Sequence, residues 1–274
     1  MRILFCGDIV GKSGRDAVID NLPLLKHKLN LDCIIVNGEN AAHGFGITSA
    51  ICKDLYKAGV NIITTGNHAF DNRDIMAYMS GDKYIVRPIN YPATTPGNGF
   101  VIYTTPRGQK ILVVNVMGRV FMDQLDDPFA AMENLFKTYV LGGLVNAIVV
   151  DVHAEATAEK MAMGHFCDGR ASLVVGTHTH VPTSDCQILS KGTAYMTDAG
   201  MCGDYNSVVG MDKEVPLFKF TRRLPPPARM QPATGPGTLC GVFVETDDAT
   251  GLAKKIKAIR LGARLEETSL DGII

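Results

Sequence analysis

The chain has 274 residues, 46% of them hydrophobic and 20% charged, with a formal net charge of −1, an ordinary globular composition with room for one sizeable core. That balance excludes the basic footprint of a nucleic-acid binder or a membrane-surface protein. No stretch approaches the ~18 apolar residues of a membrane span, and the apolar run after Arg2 is too short for a signal-peptide core. The seven cysteines stand singly, with no Cys-x-x-Cys, which predicts a reduced, cytoplasmic protein.

Arg2 to Cys6 reads as a buried strand, followed by the loop Gly7-Asp8-Ile9-Val10-Gly11. Ser13 is placed to cap a helix whose apolar positions, Val18, Leu22, Leu25 and Leu29, recur at helical spacing. A second apolar run, Cys33 to Val36, ends at Asn37-Gly38-Glu39-Asn40, and Thr48 is the expected N-cap of the helix through Ala58. A third strand, Asn61 to Thr65, ends at Gly66-Asn67-His68, and Ile75 and Met79 mark the next helix. This alternation of strand, loop and helix predicts a parallel sheet with crossovers.

The middle of the chain differs. Tyr84 to Val86 and Gly99 to Thr105 read as strands, and Pro106-Arg107-Gly108 turns the latter back into Lys110 to Val116. Pro128 opens a helix to about Tyr139. Ala147 to Val150 is another buried strand, ending at Asp151-Val152-His153, with a helix over Ala156 to His165 behind it. Ser172 to Val175 leads to Gly176-Thr177-His178-Thr179-His180, and a second hairpin turns at Lys191-Gly192. The Pro-rich stretch at about 224–238 cannot be regular structure and reads as a mobile loop, before Leu239 to Glu245 and Leu252 to Leu261 pair antiparallel. The expectation is one domain over 1–274 containing two sheets.

Five apolar runs therefore end in residues that ligate metals: Asp8, Glu39-Asn40, Asn67-His68, His153, and His178 with His180. An Asp in a Gly-Asp turn commonly bonds its own backbone, and a lone His after a strand is more often structural than a ligand. Coincidence of all five is much rarer. In an extended backbone, residues i and i+2 share a face, so the rings of His178 and His180 are expected to converge. His27 and His165 read as surface residues; His43, in the loop after Asn40, is a weaker candidate to approach a substrate. Carboxylate, imidazole and amide donors without cysteine suit iron or manganese, with zinc also admitted. Seven such residues are too many for one ion and fit two.

Gly7-Asp8, Gly38-Glu39-Asn40, Gly66-Asn67-His68, His153 and Gly176-Thr177-His178-Thr179-His180 resemble the motif series of the calcineurin-like metallophosphoesterases. Val10 stands where that superfamily's first His would be and Glu39 replaces the usual bridging Asp. With Asn37-Gly38-Glu39-Asn40 and His153-Ala154-Glu155-Ala156-Thr157, these departures resemble the bacterial YmdB-like branch. The resemblance implies an α/β fold, two mixed β-sheets packed as a sandwich with helices on both outer faces. It implies two metal ions, iron first, with Asp8, His180 and Asn40 on one, Asn67, His153 and His178 on the other, and Glu39 bridging. His68 is then the general acid, for in-line attack by a metal-bridging hydroxide on a small nucleotide phosphodiester. The substrates implied are cyclic nucleotides, 2′,3′-cyclic before 3′,5′-cyclic, and a homo-oligomer accords with the family. A 5′-nucleotidase-like phosphomonoesterase on the same site, or a non-enzymatic metal-containing regulatory protein, are the alternatives.

Overall fold

The computed structural model describes residues 1–273. In chain order the elements are β1 (Arg2–Ile9), α1 (Gly11–Leu29), β2 (Cys33–Asn37), α2 (Ser49–Lys57), β3 (Ile62–Thr64), α3 (Asp74–Gly81), β4 (Ile85–Val86), β5 (Phe100–Thr104) and β6 (Lys110–Met117). There follow α4 (Pro128–Thr138), β7 (Ala147–His153), α5 (Thr157–Cys167), β8 (Leu173–Thr177), β9 (Gln187–Ile188), β10 (Ala194–Met196), β11 (Met201–Cys202), α6 (Glu214–Arg222), β12 (Thr238–Thr246) and β13 (Ala253–Gly262).

Two sheets result. The first runs β13-β12-β1-β2-β3-β4, with β11 also paired to β1; the second runs β5-β6-β7-β8-β10-β9. Strands β1 to β4 are mutually parallel, as the strand–helix alternation predicts, while β12 and β13 add an antiparallel edge. Because successive side chains point to opposite faces, each central strand feeds two cores. In the first sheet Leu4, Cys6, Ile34 and Val36 pack under α1, α2 and α3. Ile3, Phe5 and Ile35 instead meet Val113, Val149 and Val175 of the second sheet. The second sheet's outer face packs Val114, Val150 and Val174 against Met132 and Phe136 of α4 and Met163 of α5. Burial on both faces explains why these strands read as continuous apolar runs. The layers are α/β/β/α.

Thr48 caps α2 as expected, its side chain accepting from the Ile51 N–H. Two local expectations fail. Ser13 does not cap α1, which starts at Gly11; it lies inside the helix, and its hydroxyl donates to the Gly235 carbonyl at 2.7 Å. Gly7-Asp8-Ile9 is strand rather than loop, because β11 extends the ladder with Asp8 opposite Met201 and Ile9 opposite Cys202. The Pro-rich stretch contains no regular element, and it packs back on the body: Gly235 donates to Asp204 at 3.0 Å, and Met211 bridges Pro232.

Candidate metal centre

The carboxyl ends of β1, β2 and β3 in one sheet face those of β7 and β8 in the other, and all seven expected ligand residues lie at these ends. Glu39, from the loop after β2, is 1% exposed; its Oε1 is 3.1 Å from Nε2 of His153, the last residue of β7. The same Nε2 is 2.8 Å from Asn67 Oδ1 and 3.1 Å from His178 Nδ1. Donor atoms of Glu39, His153 and His178 lie within 4.8 Å of one another.

The proton inventory at this point is informative. The Thr177 hydroxyl donates to Asp151 Oδ1 at 2.7 Å, so its oxygen is left to accept from His153 Nδ1 at 2.9 Å. With its proton on Nδ1, neutral His153 turns a bare Nε2 lone pair toward Glu39, Asn67 and His178. His178 Nε2 lies 3.2 Å from Glu155 Oε2, and with the His178 proton held there four acceptors converge with no hydrogen between them, an arrangement that suits a cation or an extra proton. Accordingly His153 is pushed up to about 9: burial opposes its charge, but Glu39, together with Asp8 and Asp151, outweighs burial. Burial would raise Glu39 too, yet His153 and then His68 hold it down to about 2. His178 is pushed down to about 3 by burial and by the neighbouring His153.

Asp8, fully buried, sits beside this group. Its carboxylate accepts the His178 backbone N–H at 3.2–3.3 Å and lies 3.8 Å from His180 Nε2. Burial pushes the Asp8 carboxyl up to about 6, against the pull of His180 and His153. His180 Nδ1 donates to the Val209 carbonyl at 2.8 Å, which again leaves Nε2 bare and facing Asp8. Asn40 donates through Nδ2 to the Gly44 carbonyl at 3.1 Å, while its buried Oδ1 has no partner among the described residues. An orphaned amide oxygen and bare imidazole nitrogens facing carboxylates are the donor set of a hard or borderline cation. The residues fit metal.

His180 and His178 do not converge as an extended backbone would place them. Their φ angles are +65° and +93°, in the left-handed region, so the rings part, one toward Asp8 and the other toward His153. His68 stands outside the ligand group: its N–H donates to Glu39 Oε2 at 2.9 Å, and its Nδ1 is 2.8 Å from Asp71 Oδ2. Glu39, Asn40, His68, Glu155, His178 and His180 face a cleft of about 340 Å³, which Met230 of the Pro-rich stretch also lines. His43 is exposed and does not line the cleft, and His27 and His165 are exposed as expected.

Two supports escape a reading of the sequence. Asp151 lies inside an apolar strand, and it fixes both Thr177 and, at 3.2 Å, Asn37 of the other sheet. Lys160 is 1% exposed and pairs with buried Asp198 at 2.7 Å; Asp198 also accepts the Thr179 N–H and hydroxyl, between the two histidines. Lys160 shares the buried face of α5 with Met163 and Cys167, and that periodicity is the signal that marks it.

The YmdB-like protein family profile matches residues 4–259. The chain belongs to the YmdB-like family. It is 46% identical over 259 residues to the 2′,3′-cyclic-nucleotide 2′-phosphodiesterase of Bacillus subtilis strain 168, covering 94% of this chain and 96% of that one. Among solved structures, a hypothetical protein from Thermus thermophilus superposes with a TM-score of 0.89 at 41% identity, covering 96% of this chain and all of the other. A phosphatase from Mycoplasma pneumoniae gives 0.88 at 34% identity, covering 96% and 93%. Members of the YmdB-like family carry the calcineurin-like metallophosphoesterase fold, which implies divalent metal ions. The α/β/β/α layering is that fold. Among the described residues no helix is long and apolar enough to cross a membrane, and all seven cysteines are free.

Proposed function

We propose that this chain, acting as one domain, is a metal-dependent phosphodiesterase that opens small cyclic nucleotides, with 2′,3′-cyclic nucleotides preferred. The observation that carries the reading is the convergence of the Glu39, Asn67, His153 and His178 acceptors on one point, with Asp8 and His180 beside them. Kinship with the Bacillus subtilis phosphodiesterase supports the substrate class. In this reading Asp8, Asn40 and His180 would hold one ion and Asn67, His153 and His178 the other, with Glu39 shared between them. The absence of thiolate donors favours iron, then manganese or zinc. When bound, the ions supply Lewis acidity and a water acidic enough to ionise near neutrality.

The chain's own groups do the rest. Asp151 through Thr177, and the Val209 carbonyl, keep the protons of His153 and His180 on Nδ1 and their other nitrogens available. Asp71 accepts from His68 Nδ1, so Nε2 is the atom that hands a proton to the departing alkoxide. The cleft of about 340 Å³, which His68 lines, is in the size range of small-ligand sites and suits a mononucleotide. The free thiols accord with a reducing cytoplasm.

Elemental analysis of protein purified without added metal, followed by rates on 2′,3′-cyclic AMP, 3′,5′-cyclic AMP and 5′-AMP, tests this. About two ions per chain are expected, with 2′,3′-cyclic AMP the fastest substrate. His68→Ala should lose on the order of 10²-fold or more in kcat at unchanged metal content. Hydrolysis of 5′-AMP alone would replace the diesterase by a phosphomonoesterase. A folded, metal-loaded protein inert on all three would leave a regulatory binding protein.

A further inference from the structure

The cleft beside the candidate metal centre has two unlike walls. One carries the carboxylates and imidazoles with Asn40 and Thr179; the other lining residues are Phe45, Val209, Met211 and Met230, with no side-chain hydrogen-bonding group apart from weak thioether acceptors. A phosphate needs no such wall. Phe45 is 37% exposed, and its ring stands edge-on to His68, with centroids 5.1 Å apart and planes at 72°. The ring projects from a pinned loop. Asn72 Nδ2 donates to the Phe45 carbonyl at 3.1 Å, the Phe45 N–H donates to Ala42 at 3.1 Å, and Asn40 holds the Gly44 carbonyl. Gly44 has φ +87°, and a Cβ there would lie 2.7 Å from Met211 Cε, so the loop packs closely against Met211.

Val209 is held just as firmly. It is 51% exposed with φ +48°, a conformation that a β-branched residue adopts only under constraint. The constraint is visible: its carbonyl accepts from His180 Nδ1, and the flanking Val208 and Met211 bridge each other. Each rim residue is thus tied to one of the site's imidazoles, Phe45 to His68 and Val209 to His180. Strained residues cluster at ligand-binding sites, and Val209 is exposed and apolar beside a polar one. The thioether of Met230 adds adaptable surface to the same cleft.

Resting on the phosphodiesterase reading, we infer that Phe45, Val209 and Met230 form the subsite for the nucleobase, with Phe45 as its stacking platform. Every base has a π-face, and this wall offers no strong donor or acceptor to read a base edge. The subsite therefore grips purines and pyrimidines alike, so specificity resides in the cyclic phosphate and ribose.

The test compares metal-loaded parent, Phe45→Ala and Phe45→Tyr on two substrates: 2′,3′-cyclic AMP, and ribose 2,3-cyclic phosphate, which has no base. The ratio of kcat/KM between them should fall about ten-fold or more in Phe45→Ala, mainly through KM, and be kept in Phe45→Tyr. An unchanged ratio in Phe45→Ala overturns the subsite, including the case in which both substrates slow equally because His68 has lost its neighbour. A parent that opens neither substrate refutes the underlying phosphodiesterase reading instead, and the subsite with it.

Discussion

Replacing Lys160 by Met isolates the charge that holds the His178–His180 corner. The methionine keeps most of the buried stem, so little packing is lost; what disappears is the ammonium 2.7 Å from Asp198 Oδ2. Asp198 is fully buried, and three donors remain to it: the Thr179 N–H at 3.2 Å, the Thr179 hydroxyl at 2.7 Å and the Gly200 N–H at 2.8 Å. Breaking a buried ion pair by removing one partner costs about 3–5 kcal/mol, and the surviving hydrogen bonds place the loss at the lower end of that range. At about 2–4 °C per kcal/mol for a chain near this size, the midpoint should fall by about 6–12 °C. Thermal and urea unfolding followed by circular dichroism read this directly. Lys160→Met combined with Asp198→Asn should recover part of the loss, because the amide oxygen still accepts from Thr179 and no charge is stranded, although its NH2 then faces the Gly200 N–H. A single variant within about 1 kcal/mol of the parent, or a double variant no better than the single, would refute the reasoning.

Gly66→Ala should spare the fold and impair the metal centre. A Cβ there would lie 2.3 Å from His153 Cδ2 and 2.5 Å from Glu39 Oε2, both on fully buried side chains with nowhere to go. Overpacking of about 1–3 kcal/mol is expected, with a fall in metal-to-protein ratio by elemental analysis; parental metal content would contradict it. Asp127→Ala removes the N-cap of α4, where Asp127 Oδ1 accepts from Phe129 at 2.8 Å and Ala130 at 3.1 Å. The loss should be about 1 kcal/mol by urea unfolding near pH 7. The Ala130 N–H, then Phe129 and Arg119, hold the Asp127 carboxyl below its usual range. With the folded value depressed, the cap's contribution is full above the ordinary carboxylate range and fades as pH falls below it. A parent–variant difference that grew on acidification would contradict this.

What the sequence disclosed and what it withheld divide along one physical line. A strand buried on both faces must be apolar throughout, so β1, β2, β6, β7 and β8 are visible as runs, and their polar terminators stand out. Glu39, Asn67 and His153 are legible for that reason. The strand β11 is only two residues long, and no local pattern announces a pairing that β1 alone makes possible. Likewise the turn of His178 and His180 depends on Asp198, twenty residues downstream of His178, and on Lys160 in a preceding helix. Reading Thr177-His178-Thr179-His180 as extended gives the wrong geometry for the two rings. Ser13 shows the same limit, since its partner at Gly235 arrives from the far end of the chain.

The division of labour between Asn67 and His68 follows from charge. Around His153 Nε2 there is already one carboxylate, and Glu39 is so strongly held ionised that a second anion would have to be buried beside it. In the proposed centre Asn67 Oδ1, 2.8 Å from His153 Nε2, would offer a lone pair to an ion without adding charge. His68, one residue on, gives the cluster only its backbone N–H and keeps its ring outside, against Asp71 and Phe45. The backbone of His68 therefore belongs to the ligand group and its side chain to the cleft. In the proposed reaction, substitution of that side chain would remove the proton donor while leaving the Glu39 contact intact, so metal retention and turnover should separate at this residue.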